Sequence, residues 1–293
     1  MARRRSELLD VEFLSRLERL ELNVRKLSAG ERRGDVATRR RGAGTVFRDY
    51  RAYVIGDDPR FIDWNAYLRL DDLQVKEFEV EETPRLLLLV DRSASMGLRE
   101  EAKLDQALKL AAAIGAVGLI RNAAVTCTLF PGDEGPTFRS RGSILRFLEH
   151  LATTEARGAA RFLPSFQAAT PPGRGLGIAV VLSDFFDTGQ HAAALRFLRH
   201  KGYVTHALHL VDPRDARVRP GELLELVDVE TGRTLRQRVD RGLAAAYREA
   251  VAEHFRTVES TCRSLQVFYA RVDIEDPVER AVVDLLRRGA MVG

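Results

Sequence analysis

The chain has 293 residues, 45% of them hydrophobic and 30% charged, with a formal net charge of +4. This composition is typical of a globular protein with a sizeable core, and the two distant cysteines favour neither a disulfide framework nor a zinc site. The longest apolar run, LAAAIGAVGLI, has 11 residues, whereas a bilayer span needs about 20. Because the N-terminal segment also lacks a secretory-signal pattern, we predict a cytoplasmic protein without a membrane span.

Residues 1–44 predict an amphipathic helix followed by a basic, glycine-containing linker. Apolar residues recur at spacings of four and three, which is typical of a helix that buries one stripe; they are Phe13, Leu17, Leu20, Val24 and Leu27. The arginine clusters of this segment lack interleaved aromatic residues and any nucleic-acid-binding module. We therefore expect no nucleic-acid partner, and docking to an acidic protein surface stays an alternative to a solvated basic arm.

Residues 45–84 predict a small β-rich region, in which LQVKEFEVE (73–81) alternates as a strand does. The run LLLLV (86–90) that follows is typical of a strand buried on both faces of a parallel sheet. From there to residue 293, strands alternate with helices. This pattern predicts a doubly wound, mainly parallel α/β sheet, with a β-hairpin inserted near 222–240.

The block GDDPRFIDW in the β-rich region admits two interpretations. As structure, Arg60 pairs with Asp57 or Asp63 and holds a packed loop, while Trp64 fills the core. As function, the same charges form a surface for a partner. The sequence favours the structural interpretation, because Trp64 stands among paired charges.

Two predicted strands end in an aspartate, at Asp91 and at Asp184. Ligands of an open α/β sheet bind at the carboxyl ends of its strands, where the strand order reverses. Asp91, Ser93 and Ser95 form a D-x-S-x-S pattern, whose oxygens are of the kind that a hard cation such as Mg²⁺ prefers. The alternative is that the serines cap the next helix and Asp91 accepts backbone N–H bonds. Convergence with Asp184 favours a metal site.

The long stretch GTVFRDYRAYVIGDDPRFIDWNAYLRLDDLQVKEFEVEE, followed by LLLLVDRSASM, resembles the family catalogued as domain of unknown function 58. The C-terminal part of that family is von Willebrand factor A-like, with a Rossmann-type fold. The resemblance implies a metal-ion-dependent adhesion site (MIDAS), to which Asp91, Ser93, Ser95 and Asp184 correspond.

The threonine of such a site has no counterpart in this chain at the aligned position, where Ala160 stands. Thr153 and Thr154 lie upstream and are possible substitutes. The resemblance therefore implies an incomplete site that binds Mg²⁺ or Mn²⁺ weakly, with more of the coordination shell left to water or to a partner.

The resemblance further implies a non-enzymatic adaptor, in which a partner's carboxylate completes the coordination of the cation. The implied partner is a MoxR-type AAA+ ATPase. Two alternatives stay open: a magnesium-dependent phosphoesterase that uses Asp91 and Asp184, and a metal-free scaffold. The phosphoesterase is disfavoured because the positions beside the predicted ligands hold only hydroxyls and no nucleophile or base.

Overall fold

The computed structural model describes residues 13, 15, 16, 40–42, 46–80, 84–132, 134–171, 177–187, 189–227 and 234–287. The chain forms two compact units, one within residues 31–83 and a larger one within residues 1–30 and 84–292. Most of the predicted N-terminal helix lies outside the described residues. Phe13 is described as helical and buried, and it belongs to the core of the larger unit.

The smaller unit contains a three-stranded antiparallel sheet in the order β1-β3-β2. Its strands are β1 (Arg40–Gly42), β2 (Val46–Ala52) and β3 (Gln74–Val80). A 3-10 helix (Pro59–Phe61) and helix α1 (Trp64–Leu70) lie between β2 and β3. β3 confirms the strand predicted from the alternation over 73–81.

The larger unit is built on a six-stranded sheet in the order β11-β8-β7-β4-β5-β6, in which only β6 is antiparallel. The strands are β4 (Arg85–Asp91), β5 (Ala124–Phe130), β6 (Thr137–Phe138), β7 (Gly177–Ser183), β8 (Tyr203–Val211) and β11 (Phe268–Asp273). β9 (Leu223–Val227) and β10 (Thr234–Arg238) form a separate antiparallel pair. The prediction of a mainly parallel α/β sheet is thus confirmed.

Helices cover both faces of this sheet. They are α2 (Leu98–Ile120), α3 (Ile144–Ala152), α4 (Phe162–Ala169), α5 (Gln190–His200), α6 (Arg241–Ser264) and α7 (Val278–Arg287). Leu86 and Leu88 of β4 pack in one apolar cluster with α2, α3 and α7, whereas Leu87 and Leu89 pack in a second with α4, α5 and α6. Burial on both faces explains why β4 is apolar throughout. Within the described part of the chain, no helix combines the length and the apolar character of a membrane span.

The strand order reverses between β4 and β7. β4 pairs with β5 on one side and with β7 on the other, with Val90 aligned to Leu182. The chain leaves β4 through α2 towards β5 and later returns to β7 on the opposite side. The carboxyl ends of β4 and β7 therefore lie side by side, and they carry Asp91 and Asp184.

Helix α2 starts irregularly. Arg99, Glu100 and Glu101 have φ angles of 51°, 65° and 61°, a left-handed conformation that is unfavourable for residues other than glycine. The regular helix consequently begins after Glu101, and Lys103 lies in its first turn.

Candidate functional site

The four residues of the predicted metal site converge in the structure. Asp91 accepts hydrogen bonds from the Ser93 amide (2.8 Å) and the Ser183 hydroxyl (2.5 Å). The hydroxyl oxygens of Ser93 and Ser95 are 3.1 Å apart, and the Ser95 hydroxyl donates to Asp184 Oδ1 at 3.2 Å. Asp91 and Asp184 are both buried. Two carboxylates and two hydroxyls thus form one polar cluster at the ends of β4 and β7.

The alternative prediction of serine caps is wrong for Ser93, and its prediction for Asp91 is confirmed. Ser93 precedes a 3-10 helix (Ala94–Gly97) but makes no capping hydrogen bond with its side chain. Its hydroxyl meets that of Ser95 instead. Asp91 does accept a backbone N–H bond within the turn, from Ser93. The D-x-S-x-S loop therefore directs its hydroxyls towards the polar cluster.

The sequence prediction missed Ser183, which donates to Asp91, and Lys103, which brings a positive charge to the cluster. Its Nζ lies 2.6 Å from Asp184 Oδ2 and 3.3 Å from Asp215 Oδ2, and only 3% of its side chain is exposed. A weak signal for this burial exists in the sequence. Lys103, Ala107 and Leu110 share one face of α2 through their spacing, and the two apolar residues are fully buried.

The pKa values of Asp91 and Lys103 are both raised, but for different physical reasons. Burial, together with the charge of Asp184, raises the pKa of Asp91 to about 7. Burial alone would lower the pKa of Lys103, but the charges of Asp184 and Asp215 outweigh it and the net pKa is raised. Lys103 is therefore a cation at neutral pH and the counter-charge of Asp184.

The threonine position of the implied MIDAS is occupied by an apolar side chain. Ala160 is buried in the cluster that also holds Leu87 and Phe162. The Thr153 hydroxyl donates to the backbone oxygen of His150 at 3.1 Å. The Thr154 hydroxyl is buried and has no hydrogen-bond partner among the described residues. Of the two upstream threonines, Thr154 is the one whose hydroxyl makes no hydrogen bond within the described residues.

The loop of residues 153–161 packs directly on the D-x-S-x-S loop. The amide of Ala94 donates to the Gly158 oxygen (2.8 Å), and the amide of Arg157 donates to the Arg92 oxygen (2.7 Å). A β-carbon on Gly97 would lie 2.5 Å from the β-carbon of Ala156. Gly97 is thus required for the close approach of the two loops.

The donor atoms fit a hard divalent cation in type, because carboxylate and hydroxyl oxygens are its preferred ligands. Within the described ranges, no three His, Cys, Asp or Glu side chains are placed to hold a metal ion together. A cation here would depend on the hydroxyls of Ser93 and Ser95 as well as on Asp91 and Asp184. A cation bound to Asp184 would also lie next to the ammonium of Lys103, which already contacts that carboxylate.

The ion pairs of the GDDPR block differ from those predicted. Arg60 pairs with Asp58, at 2.6 Å between Nη2 and Oδ2, and not with Asp57 or Asp63. The two residues are neighbours in the 3-10 turn, where the Asp58 side chain also accepts the Arg60 amide. The carboxylate of Asp57 instead accepts a hydrogen bond from each terminal nitrogen of Arg51 on β2, both at 2.6 Å. The prediction for Arg60 was therefore wrong in its partner.

The prediction that Trp64 fills the core is also wrong, since 57% of this residue is exposed. It is the first residue of α1, and the helix buries Ala66 instead. Asp63 caps the helix, because its Oδ1 accepts the amides of Asn65 and Ala66. Its Oδ2 contacts the Tyr50 hydroxyl (2.7 Å) and Lys76 Nζ (3.1 Å). Asp63 thus joins α1 to β2 and β3.

Asp63→Ala is expected to destabilise the smaller unit more than Asp63→Asn, because asparagine keeps an oxygen that caps α1. The hydrogen bond from Tyr50 and the contact with Lys76 lower the pKa of Asp63. Its charge therefore stabilises the fold at neutral pH, and this contribution decreases as the pH falls below about 4, the ordinary pKa of aspartate. Hydrogen exchange of the Ala66 amide measures both effects. A wild-type advantage over Asp63→Asn that grows on acidification would contradict this assignment.

The fold and the polar cluster together define a class: an α/β protein whose mainly parallel sheet carries a buried carboxylate, hydroxyl and ammonium cluster at its point of strand reversal. The chain belongs to the family described as "Protein of unknown function DUF58", which it matches over residues 49–257. This confirms the resemblance to that family. The von Willebrand factor A-like character and the MIDAS stay predictions.

The chain is similar to uncharacterised proteins of Mycobacterium bovis and Mycobacterium tuberculosis. Each is 27% identical over 270 residues, which cover 88% of this chain and 84% of the relative. Among solved structures, BatB from Bacteroides thetaiotaomicron is 15% identical, with a TM-score of 0.44, over 71% of this chain and 98% of BatB. An aerotolerance-related membrane protein from Bacteroides fragilis is 19% identical, with a TM-score of 0.40, over 70% of this chain and 97% of that one.

Proposed function

We propose that the protein is a non-enzymatic adaptor that binds a partner protein at the carboxyl ends of β4 and β7. The observation that carries the proposal is the convergence of Asp91, Ser93, Ser95 and Asp184 at the strand reversal, where α/β proteins place their ligands. Ser95 is half-buried and forms the rim of the cluster, where a partner would make its first contact. The neighbouring Leu98 is 41% exposed and offers apolar contact area.

The same four side chains would hold a weakly bound Mg²⁺ or Mn²⁺. A bound cation would supply a coordination position for a carboxylate of the partner. Asp91 and Asp184 would provide carboxylate oxygens, and Ser93 and Ser95 would provide neutral oxygens, of which only that of Ser95 belongs to a half-buried residue. The family resemblance suggests a MoxR-type AAA+ ATPase as the partner.

A metal-free scaffold is the second candidate function, and Lys103 is the observation that favours it. Its ammonium already balances the charge of Asp184, so the cluster needs no second cation for electrostatic stability. Both candidates use the same surface. They differ in whether binding to the partner requires a divalent cation.

Ser95→Ala is expected to weaken binding to a purified MoxR-type AAA+ ATPase of the same organism by about tenfold, equivalent to about 1.4 kcal/mol. Ser95 is the half-buried ligand, and its change removes one hydroxyl and no charge. Biolayer interferometry in Mg²⁺ and in EDTA measures the effect. Ser260→Ala, at an exposed position on α6, is the matched control.

Three outcomes decide between the functions. Binding that is lost in EDTA and weakened in Ser95→Ala supports the cation-dependent adaptor. Binding that persists in EDTA but is weakened in Ser95→Ala supports the metal-free scaffold. Equal binding of the wild type, Ser95→Ala and Ser260→Ala contradicts this surface as the docking site. Separately, Mg²⁺-dependent hydrolysis of a phosphoester that disappears in Asp91→Ala would contradict a non-enzymatic role.

A further inference from the structure

Lys103 brings its own positive charge into the polar cluster, at the place where the proposed function expects a divalent cation to bind. Its Nζ lies 2.6 Å from Asp184 Oδ2 and 3.3 Å from Asp215 Oδ2. It also lies 5.1 Å from the centre of the Phe186 ring, within the range of a cation–π contact. The ammonium is therefore held by two carboxylates and an aromatic face, with almost no exposure to water.

Asp184 has both of its oxygens in use. Oδ1 accepts the Ser95 hydroxyl at 3.2 Å and the Phe186 amide at 3.1 Å, and Oδ2 accepts Lys103. A divalent cation on either oxygen would stand next to the ammonium. In this buried environment the repulsion between the two positive charges is only weakly screened. Lys103 and a divalent cation therefore do not share Asp184.

Asp215 offers Lys103 a second position. Its Oδ2 is 3.3 Å from Nζ, and 14% of its side chain is exposed. The lysine side chain is flexible and its ammonium has three donors, so a short movement transfers the charge from one carboxylate to the other. Arg99 contacts the other oxygen of Asp215 at 3.2 Å, which leaves Oδ2 to Lys103.

We propose that Lys103 is a built-in competitor for Asp184, and that its ammonium moves to Asp215 when Asp184 takes a divalent cation. This inference rests on the proposed function, because it assumes that the cation is bound by the four side chains proposed there: Asp91, Ser93, Ser95 and Asp184. A residue that is not a ligand thereby sets the affinity of the cluster for Mg²⁺ or Mn²⁺. In the structure, the Lys103 ammonium lies on Asp184, which is the arrangement expected without a bound cation.

Titration of the purified protein with Mn²⁺, followed by electron paramagnetic resonance, tests this inference without any partner. The variant Lys103→Met with Asp215→Asn removes the competitor and keeps the net charge of the wild type. It is expected to bind Mn²⁺ at least about tenfold more tightly than the wild type. Asp215→Asn alone keeps Lys103 on Asp184, and it is expected to bind no more tightly than the wild type.

Lys103→Arg is a second test that keeps the positive charge and with it the buried ion pair. Because a guanidinium holds a carboxylate with two parallel hydrogen bonds, this variant is expected to bind Mn²⁺ more weakly than the wild type. Equal Mn²⁺ affinities of the wild type and Lys103→Arg would overturn the inference. So would a double variant that binds no more tightly than the wild type. Neither result affects the adaptor proposal, because binding to the ATPase is measured separately.

Discussion

Lys103→Met is expected to lower the free energy of unfolding by about 3–5 kcal/mol, the usual loss when one partner of a buried ion pair is removed. Methionine retains the apolar stem of lysine but leaves Asp184 buried without a counter-charge. Asp184 is fully buried and lies at the centre of the larger unit's polar cluster. Urea unfolding followed by circular dichroism at neutral pH measures the loss.

Adding Asp184→Asn to Lys103→Met is expected to recover most of this stability. Asparagine is neutral, and its side-chain oxygen still accepts the hydrogen bonds of Ser95 and Phe186 that Asp184 Oδ1 accepts. The comparison separates the uncompensated charge from the packing of the side chain. A double variant that is as unstable as Lys103→Met would show that the loss arises from packing and not from the charge of Asp184.

Gly97→Ala is expected to cost about 1–3 kcal/mol, the usual range for overpacking. Its backbone conformation suits alanine, since φ is −83° and ψ is −6°. The cost arises because the new β-carbon would lie 2.5 Å from that of Ala156. The two loops would separate and strain the backbone hydrogen bonds between them. Thermal and urea unfolding measure the change.

Combining Gly97→Ala with Ala156→Gly moves the methyl group from one loop to the other and is expected to restore much of the stability. Gly142→Ala is the matched control, because a β-carbon there has no neighbour within 4 Å. Its effect is expected to stay within about 0.5 kcal/mol. If Gly97→Ala and Gly142→Ala are equally stable, the close approach of the loops contributes nothing to stability.

The sequence predicts the strand ends because they depend on local patterns. LLLLV and IAVVL are recognisable as buried strands, and each is followed by an aspartate. Parallel strands place their carboxyl ends at the same edge of a sheet. The adjacency of Asp91 and Asp184 therefore needed only one further condition, that β4 and β7 are neighbours, and the structure satisfies it.

The partners of charged side chains could not be predicted, because they depend on distances across the fold. Lys103 is 81 residues from Asp184 in sequence, and a lysine near the start of a helix is usually solvated. For Arg60 the sequence interpretation considered Asp57 and Asp63, whereas the tight 3-10 turn selected Asp58. Trp64 has an aromatic side chain typical of a core, yet the direction of α1 leaves it largely exposed.

The four consecutive leucines of β4 have a consequence for how the strand finds its alignment. Register is usually specified because a one-residue slip exchanges the apolar and polar faces of a strand. In β4 both faces are apolar, and a slip along Leu86–Leu89 would replace leucine by leucine. The slip would, however, displace Asp91 from the Ser183 hydroxyl and the Ser93 amide. The polar end of the strand thus favours the native register, and the residues that form the candidate site also contribute to the specificity of strand pairing.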